Sequence, residues 1–350
     1  VLAGDGLMLT FNDTQPWLTG LPVCALLEAE TDNPLVRWLS DAMVREALLG
    51  GRQTTVQHLG HALAWRTRKP ALAQCPPLPT VSILEEMHWG MMRSDGAYIP
   101  KAAVGVKGQQ GRLSHHKQED LGSFVYYANG ENYLIDPGYY QPKATDHTLP
   151  LIDGAGPHNL TGSSIIASGQ KNARRWMVVD SLHGYNAKAP VASRVRRTIV
   201  LEGACAVVLD DVLPADGKPG KITAQYQAAF AAQLGADKRS AVVQGKAGRM
   251  LLATFGPAIE LAATGPKDFG RSWIYKRMAE RGEVAWHAIT GDYQADAANP
   301  LVTVLVPAAG QDNPQPAKYQ REAGGITVTL PGDAVVQFVR KNGVWEMSPQ

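Results

Sequence analysis

The chain has 350 residues, of which 45% are hydrophobic and 19% charged, which is ordinary for a globular protein large enough for two domains. Its 34 basic and 32 acidic side chains leave a formal charge of +2, too even for the broad basic field that nucleic acids or anionic membranes attract, so we expect neither partner. The sequence contains no run of about 18 apolar residues, so no transmembrane span is predicted. Its three scattered cysteines favour neither a disulfide framework nor a cysteine-based zinc site.

The N-terminal part, residues 1–80, is predicted to be helical. Pro22 and Pro34 stand where first-turn prolines belong, and Asp32 or Asn33 can serve as an N-cap. The apolar residues of the second helix recur at every fourth position and form one stripe: Leu35, Leu39, Met43 and Ala47. Two or three helices are too few to bury such an apolar stripe. The start VLAGDGLMLT lacks an initial Met and the basic and apolar regions of a signal peptide. We therefore interpret this part as the incomplete end of a larger helical domain.

The pattern changes after the proline-rich segment KPALAQCPPLPT, which ends the helical part. Residues 81–350 contain short β-type runs separated by Gly, Pro, Asp and Asn clusters. The strongest runs are SFVYYA, NYLID, RTIVLEG, AVVLDDV, GRMLLATF, LVTVLVP, GITVTL and AVVQFV. The pattern predicts a mainly β protein, in which an antiparallel β-sandwich over residues 81–350 follows a few helices.

One hairpin can be predicted in detail, because SFVYYA and ENYLID flank Asn129 and Gly130. This dipeptide best tolerates the positive φ angles of a type I′ turn. An unbroken register outward from the turn puts Asp136 at the open end of the hairpin. It then lies beside the loop that carries His115 and His116.

Four of the nine histidines surround this hairpin: His115, His116, His147 and His158. An isolated histidine in a sheet protein is usually structural, whereas this clustering favours a functional site. The chain has no Gly-rich phosphate loop after a strand, no G-x-S-x-G and no C-x-x-C, so nucleotide-binding, acyl-hydrolase and zinc-ribbon functions are not supported.

The segment 114–157 holds a specific order of motifs. H-x-x-x-D-L-G-S-F begins at His116, the Asn-Gly hairpin follows, D-P-G begins at Asp136, and H-x-L-P-x-I-D-G begins at His147. This order resembles the central signature of heparinase II/III-type polysaccharide lyases. GLMLTFNDTQPW resembles the end of that family's α/α-toroid, and MHWGMMRSDGAYI, RRTIVLEGACAVVLDDV and LVTVLVP resemble strands of its sandwich. The resemblance implies that the chain is the C-terminal part of such a lyase.

The activity implied by the resemblance is β-elimination on a uronic-acid-containing polysaccharide of the alginate or glycosaminoglycan type. This reaction needs a group that neutralises the C5 carboxylate, a base for the C5 proton and an acid for the leaving O4. His116 occupies the position of the family's histidine on the sandwich loop, so we interpret it as the base or as a group on the carboxylate side. Tyr140 is a second catalytic candidate, as an acid that presents its phenol to the cleft.

Four more residues are candidates for substrate contact. For each of them the alternative is a purely structural role in the core or on the surface. Tyr139 and Trp17 carry rings that can stack on the apolar faces of sugars. Arg93 can bind a carboxylate through two parallel hydrogen bonds from its guanidinium group. His115 lies on the same loop as the catalytic candidate.

A structural metal ion, usually zinc, is also implied by the resemblance. The family's ligand positions correspond to Gln118, Asp136 and His147. Gln118 is a departure, because an amide is a poorer zinc ligand than imidazole. Either His115 or His158 substitutes for it, or the site is weakened, or it is empty and held by hydrogen bonds alone. Asp136 also fits a purely structural role, as the opener of the turn before Pro-Gly.

The leading hypothesis is thus a polysaccharide lyase whose partners are an acidic polysaccharide and the missing toroid part of the same protein. The resemblance places the general acid tyrosine of the family upstream, so this chain alone is expected to be weakly active or inactive. The resemblance also implies a periplasmic or secreted protein. Whether the protein forms a homodimer is left open. The alternative is a non-catalytic β-sandwich that binds acidic glycans. A cupin-like metal oxygenase ranks last, because Gln118 replaces the second histidine of the cupin H-x-H pair.

Overall fold

The computed structural model describes two N-terminal helices and most of the β-rich part of the chain. The described residues are 2–3, 7–8, 21–31, 33–49, 74–110, 118–138, 143–158, 162–215 and 220–348. Within these ranges, no helix is long and apolar enough to cross a membrane. The predicted boundary at residue 80 stays a prediction, because residues 50–73 lie outside the described ranges.

Each of the two helices has a proline in its first turn, as predicted: α1 is Leu21–Glu30 and α2 is Pro34–Leu49. Asn33 caps α2, because its Oδ1 accepts a 2.9 Å hydrogen bond from the backbone N–H two residues on. Such a cap stabilises a helix by about 1 kcal/mol. Trp38 is buried, and its ring centroid lies 4.5 Å from that of Tyr98. Helix α2 therefore contacts the turn that precedes the central strands.

In the described part of the chain, the strands form four antiparallel sheets. Before the helices, the strands are β1 (Leu2–Ala3) and β2 (Leu7–Met8). After them come β3 (Val81–Leu84), β4 (Trp89–Arg93), β5 (Ala102–Lys107), β6 (Phe124–Ala128), β7 (Glu131–Leu134), β8 (Leu151–Ile152), β9 (Ser164–Lys171), β10 (Arg174–Asp180), β11 (Ala192–Glu202), β12 (Cys205–Pro214), β13 (Lys221–Ala228), β14 (Ala232–Leu234), β15 (Ser240–Gln244), β16 (Gly248–Phe255), β17 (Glu260–Lys267), β18 (Trp286–Gln294), β19 (Leu301–Ala309), β20 (Lys318–Glu322), β21 (Gly325–Thr329), β22 (Val335–Lys341) and β23 (Val344–Met347). Two short helices interrupt this series, α3 (Leu182–Tyr185) and α4 (Trp273–Glu280).

Two large sheets form the predicted sandwich. The nine-stranded sheet has the order β17-β18-β13-β7-β6-β5-β4-β3, with β8 also paired to β13, and the eight-stranded sheet has the order β14-β15-β16-β19-β12-β11-β10-β9. Their inner faces share one apolar core, which includes the fully buried side chains of Phe124, Met177, Ile199 and Tyr226. Burying an apolar side chain of this size contributes roughly 1.5–3 kcal/mol. The antiparallel sandwich that the sequence predicts is thereby confirmed.

A third layer covers the outer face of the eight-stranded sheet. The four-stranded sheet β20-β21-β22-β23 packs there through Val328, Phe338 and Trp345, which meet Val207 and Val302 of the larger sheet. Both faces of the central strands β12 and β19 are therefore buried, which explains why apolar residues follow one another without alternation in the CAVVL part of β12 and the LVTVLV part of β19.

The predicted hairpin is formed by β6 and β7. Asn129 and Gly130 both have positive φ angles, of 49° and 90°, as a type I′ turn requires. The unbroken register that the sequence suggested is wrong, because the pairing shifts at a β-bulge between Tyr126 and Tyr127. The bulge adds one residue to one strand, and Asp136 still lies just beyond the end of β7.

Candidate functional site

Three segments bring buried polar side chains together at one end of the nine-stranded sheet. Residues 118–123 lead into β6, residues 135–138 leave β7, and residues 143–150 run from a single 3₁₀ turn towards β8. Because β6 and β7 are the two arms of one hairpin, the first two segments lie side by side at its open end. The third segment returns to the same sheet, since β8 pairs with β13.

Asp136 and His147 form a buried pair at this end. The Nδ1 atom of His147 lies 2.8 Å from Oδ2 of Asp136, and the backbone N–H of Gly138 donates to Asp136 Oδ1 at 3.1 Å. Burial raises the pKa of Asp136, and the neighbouring imidazole opposes that shift. Burial acts to lower the pKa of His147, but the Asp136 and Asp120 carboxylates outweigh it and raise the pKa. The carboxyl group and the imidazole therefore hold each other in place at the end of the hairpin.

Lys107 and Asp120 form a second buried ion pair beside the first. Both side chains are 0% exposed, and the Lys107 ammonium donates directly to Oδ1 of Asp120. Lys107 ends β5, and its backbone N–H donates to the carbonyl of Ser123 at 2.9 Å, which ties it to the segment that carries Asp120. Its ammonium also lies 5.9 Å from the centre of the Trp89 ring. A lysine this deeply buried is stable only because a carboxylate faces it.

The two pairs make one cluster. Asp120, Asp136 and His147 each place a potential ligand atom within 4.8 Å of the others. Oδ2 of Asp120 is buried and has no hydrogen-bond partner among the described residues. Gln118 is also buried here, and its Nε2 donates to the carbonyl of Gly138 at 3.0 Å. The structure thus brings the three predicted metal-site residues into one region and adds Asp120, which the sequence interpretation did not include.

Buried glutamines hold the segment that carries His147. Nε2 of Gln225 donates to the carbonyl of His147 at 2.9 Å, and Nε2 of Gln227 does so at 3.3 Å. The indole N–H of Trp286 donates to Oε1 of Gln227 at 2.7 Å, which fixes the amide with its N–H₂ group towards the segment. Arg197 of the opposite sheet donates to the carbonyl of Thr148 at 2.9 Å. The imidazole is therefore positioned from the sheet beneath it as well as by Asp136.

The catalytic candidates His116 and Tyr140 and the substrate candidates Trp17, His115 and Tyr139 lie outside the described residues. Their roles stay predictions. The described chain resumes after the histidine loop at residue 118, and it breaks after residue 138. Both candidate-bearing segments are thus continuous in sequence with the buried cluster.

The position of Arg93 argues against its predicted contact with substrate. The residue is 4% exposed, and its guanidinium donates to the carbonyls of Ala97 and Tyr98, both at 2.6 Å. Its burial lowers the pKa of the guanidinium. Arg93 therefore holds the turn after β4 together, and its charge does not face solvent.

His158, the alternative metal ligand of the sequence interpretation, is not part of the cluster. Its side chain is half-buried, and its backbone N–H donates to the carbonyl of Gly184 at 2.8 Å. The described residues offer Asp120, rather than this histidine, as the third ligand beside Asp136 and His147.

The cluster cannot itself perform acid–base chemistry on a polymer, since its side chains are buried. It fixes two backbone segments at the open end of the hairpin, and each of these segments continues directly into a predicted catalytic residue. The cluster is thus a rigid support for the ends of these two segments, and rigid supports of this kind maintain precise catalytic geometry.

Comparison with known proteins gives one consistent result. A family model described as heparinase II/III-like, C-terminal, matches residues 81–285. The crystal structure of a heparinase III is 16% identical, with a TM-score of 0.65, and the alignment covers 99% of this chain and 51% of that one. Heparan sulfate lyase HepC from Pedobacter heparinus is 14% identical, with a TM-score of 0.63, over 98% of this chain and 50% of that one.

A further heparinase III structure is 16% identical, with a TM-score of 0.61, over 85% of this chain and 48% of that one. The chain thus spans about half the length of these structures, and at such identities the likeness shows a shared fold. Among curated protein sequences, none matches the chain significantly.

Proposed function

The chain belongs to the heparinase II/III-like family, and we propose that it supplies the C-terminal half of a polysaccharide lyase that cleaves uronic-acid-containing glycans. The observation that carries the proposal is the buried cluster of Lys107, Asp120, Asp136 and His147. It fixes the ends of the two segments that continue to His116, which the motif order assigns to catalysis, and to Tyr140, the second catalytic candidate.

The reaction is a β-elimination at the uronate residue. The base takes the C5 proton, the electrons of the C5–H bond form a C4=C5 double bond, and the C4–O4 bond breaks. O4 then receives a proton from the acid. His116 is the base, or pairs with the carboxylate that makes the C5 proton acidic, and Tyr140 is a candidate acid. Since the chain's net charge is only +2, the substrate's negative charge must be met by cations close to the site.

The other half of the active site belongs to an N-terminal α/α-toroid in this proposal. The solved heparinases are about twice as long as this chain, which supports a second half that closes the glycan cleft. A catalytic tyrosine on that half is the alternative to Tyr140 as the acid that protonates O4. We also propose that the parent protein is periplasmic or secreted, because a polymeric glycan is met outside the cytoplasm.

The test is a substrate screen with the full-length parent protein and with the 350-residue chain. We expect the parent to generate the ultraviolet absorbance of unsaturated uronate from heparan sulfate, and from chondroitin, hyaluronan or alginate more slowly, since two of the structural relatives are a heparinase III and a heparan sulfate lyase. The chain alone should be weakly active or inactive. New reducing ends without this absorbance would mean hydrolysis and would contradict the proposal. Glycan binding without any new ends would favour the non-catalytic alternative.

We propose in addition that Asp120, Asp136 and His147 hold a structural zinc ion. Two carboxylates and an imidazole suit zinc, and Asp120 Oδ2 is a buried acceptor without a hydrogen-bond partner among the described residues. The ion would cross-link the segments on both sides of the hairpin and would take no part in proton transfer. Asp120 then provides the ligand that Gln118 supplies poorly.

Metal analysis of the purified chain tests this second proposal. We expect about one zinc ion per chain, and we expect its removal by a chelator to lower Tm by several degrees, because a ligand that binds only the folded state stabilises it. His147→Ala should lose the zinc, whereas Asp292→Asn, a change at an exposed acid on β18, should retain it. A chain that is free of metal and indifferent to the chelator would show that the ion pairs alone hold the cluster.

A further inference from the structure

The segment 267–283, from the last residue of β17 to the approach of β18, concentrates positive charge. It contains five basic and three acidic residues, so its formal charge of +2 equals that of the whole chain. The helix α4 lies within it. Because the remainder of the chain is balanced, this segment is a local source of positive potential.

An apolar underside fixes the segment next to the cluster. Phe269, Tyr275 and Met278 are buried in a small core with Trp286 and with Ile135, the residue before Asp136. The rings of Phe269 and Tyr275 stack with centroids 5.0 Å apart, and Phe269 lies 5.8 Å from Trp286. The position of α4 is therefore set by the strand end that carries the site.

A polar contact ties the start of the segment to the same place. Nζ of Lys267 lies 3.0 Å from Oδ1 of Asp146, the residue before His147, and 4.0 Å from the centre of the Trp286 ring. The segment thus borders both backbone stretches that the cluster holds. It forms a side wall of the site region rather than a separate surface.

The outward side of the segment carries more basic than acidic side chains; its exposed acids are Asp268 and Glu280. Four exposed side chains make up what we call the α4 surface: Arg271, Lys276, Arg277 and Arg281. Lys276 lies 3.6 Å from Asp268, and Arg281 lies 2.7 Å from Glu283. Ion pairs between exposed side chains are weak, so a polyanion can compete for these cations.

We propose that the α4 surface binds the acidic glycan chain where it extends beyond the cleavage site. This inference rests on the proposed function and adds the residues that meet the polymer outside the reacting sugar. Arginine suits that role, because its guanidinium grips carboxylate and sulfate groups bidentately. Contacts remote from the reacting atoms hold ground state and transition state alike, so they set KM rather than kcat.

The experiment compares two double variants of the 350-residue chain in calorimetric titrations with heparan sulfate. K276E/R277E reverses two charges of the α4 surface. K238E/K341E changes the net charge equally at two other exposed lysines, each also beside an acid, Glu260 and Glu346. We expect K276E/R277E to bind about tenfold more weakly and with less salt dependence, and the control to stay within about twofold. K276Q/R277Q serves in its place if the reversed variant does not fold.

Equal weakening in both variants, or no binding by the wild-type chain, would overturn the proposal. If duplex DNA bound the wild-type chain as tightly as heparan sulfate does, and bound K276E/R277E with the same loss of affinity, the assignment of this surface to glycans would be overturned. In the full-length parent, K276E/R277E should raise KM with little change in kcat. A lower kcat with an unchanged KM would also count against the proposed role of the α4 surface. If the parent cleaves no acidic glycan while the binding contrast holds, the lyase proposal fails and the α4 surface stands.

Discussion

Replacing His116 by alanine in the full-length parent should reduce kcat for elimination by about 10²–10⁴-fold. The side chain is the proposed base, so its removal takes away the group that we propose to accept the C5 proton. The affinity for glycan should change little, because proton abstraction is not part of binding. The measurement is initial rate by unsaturated-uronate absorbance, together with the glycan Kd of the variant.

The matched control for this substitution is His183→Ala, which removes an exposed histidine of α3. It should leave kcat within about twofold. Added imidazole should restore part of the rate to the His116→Ala enzyme if a missing base is the defect. Unchanged turnover in His116→Ala would remove this residue from the mechanism and leave the fold assignment untouched.

The substitution Lys107→Met should destabilise the chain by about 3–5 kcal/mol, because it leaves the carboxylate of Asp120 buried without its cation. Both side chains are fully buried in the native state. Methionine has a similar length and no charge, so the lost packing is small compared with the lost ion pair. Urea denaturation followed by circular dichroism measures the difference in unfolding free energy.

Two further variants separate the charge effect from a packing effect. Lys238→Met removes a lysine that is 60% exposed and paired with Glu260, and it should cost less than about 1 kcal/mol. In the chain treated with a chelator, so that the proposed zinc site does not contribute, Lys107→Met combined with Asp120→Leu replaces both partners by apolar groups and should recover much of the loss. A cost below about 1 kcal/mol for Lys107→Met alone would show that Asp120 does not depend on the ammonium.

The sequence predicts those parts of the fold that depend on neighbours along the chain. Asn129 and Gly130 define the hairpin turn because they alone supply the required φ angles, and Pro34 with Asn33 defines the start of α2. The bulge at Tyr126 and Tyr127 was not predictable, since the alternation of side chains within one strand does not show where its partner gains a residue.

The cluster shows the same limit at the level of the site. Asp136 and His147 were placed in one site by motif order, which carries information from the family. Lys107 ends an apolar run, AAVGVK, and an isolated lysine there normally predicts a strand end in solvent. Its burial depends on the ion pair with Asp120, thirteen residues on. Whether these two side chains meet depends on how strands β5 and β6 pair in the sheet. The burial of Arg93 was not predictable for the same reason, because its partners are backbone carbonyls that no sequence pattern marks.

Within the described chain, β19 is the strand that joins the two halves of the eight-stranded sheet, since it pairs with β12 on one side and with β16 on the other. β12 is synthesised roughly 90 residues earlier, an interval on the order of 5–20 s at common translation rates. The facing edges of β12 and, once it is made, of β16 have no partner until β19 is present, and unpaired edges next to apolar faces invite aggregation. A fragment that ends at residue 285, where the family match ends, lacks β19, so we expect it to aggregate rather than to form the complete eight-stranded sheet.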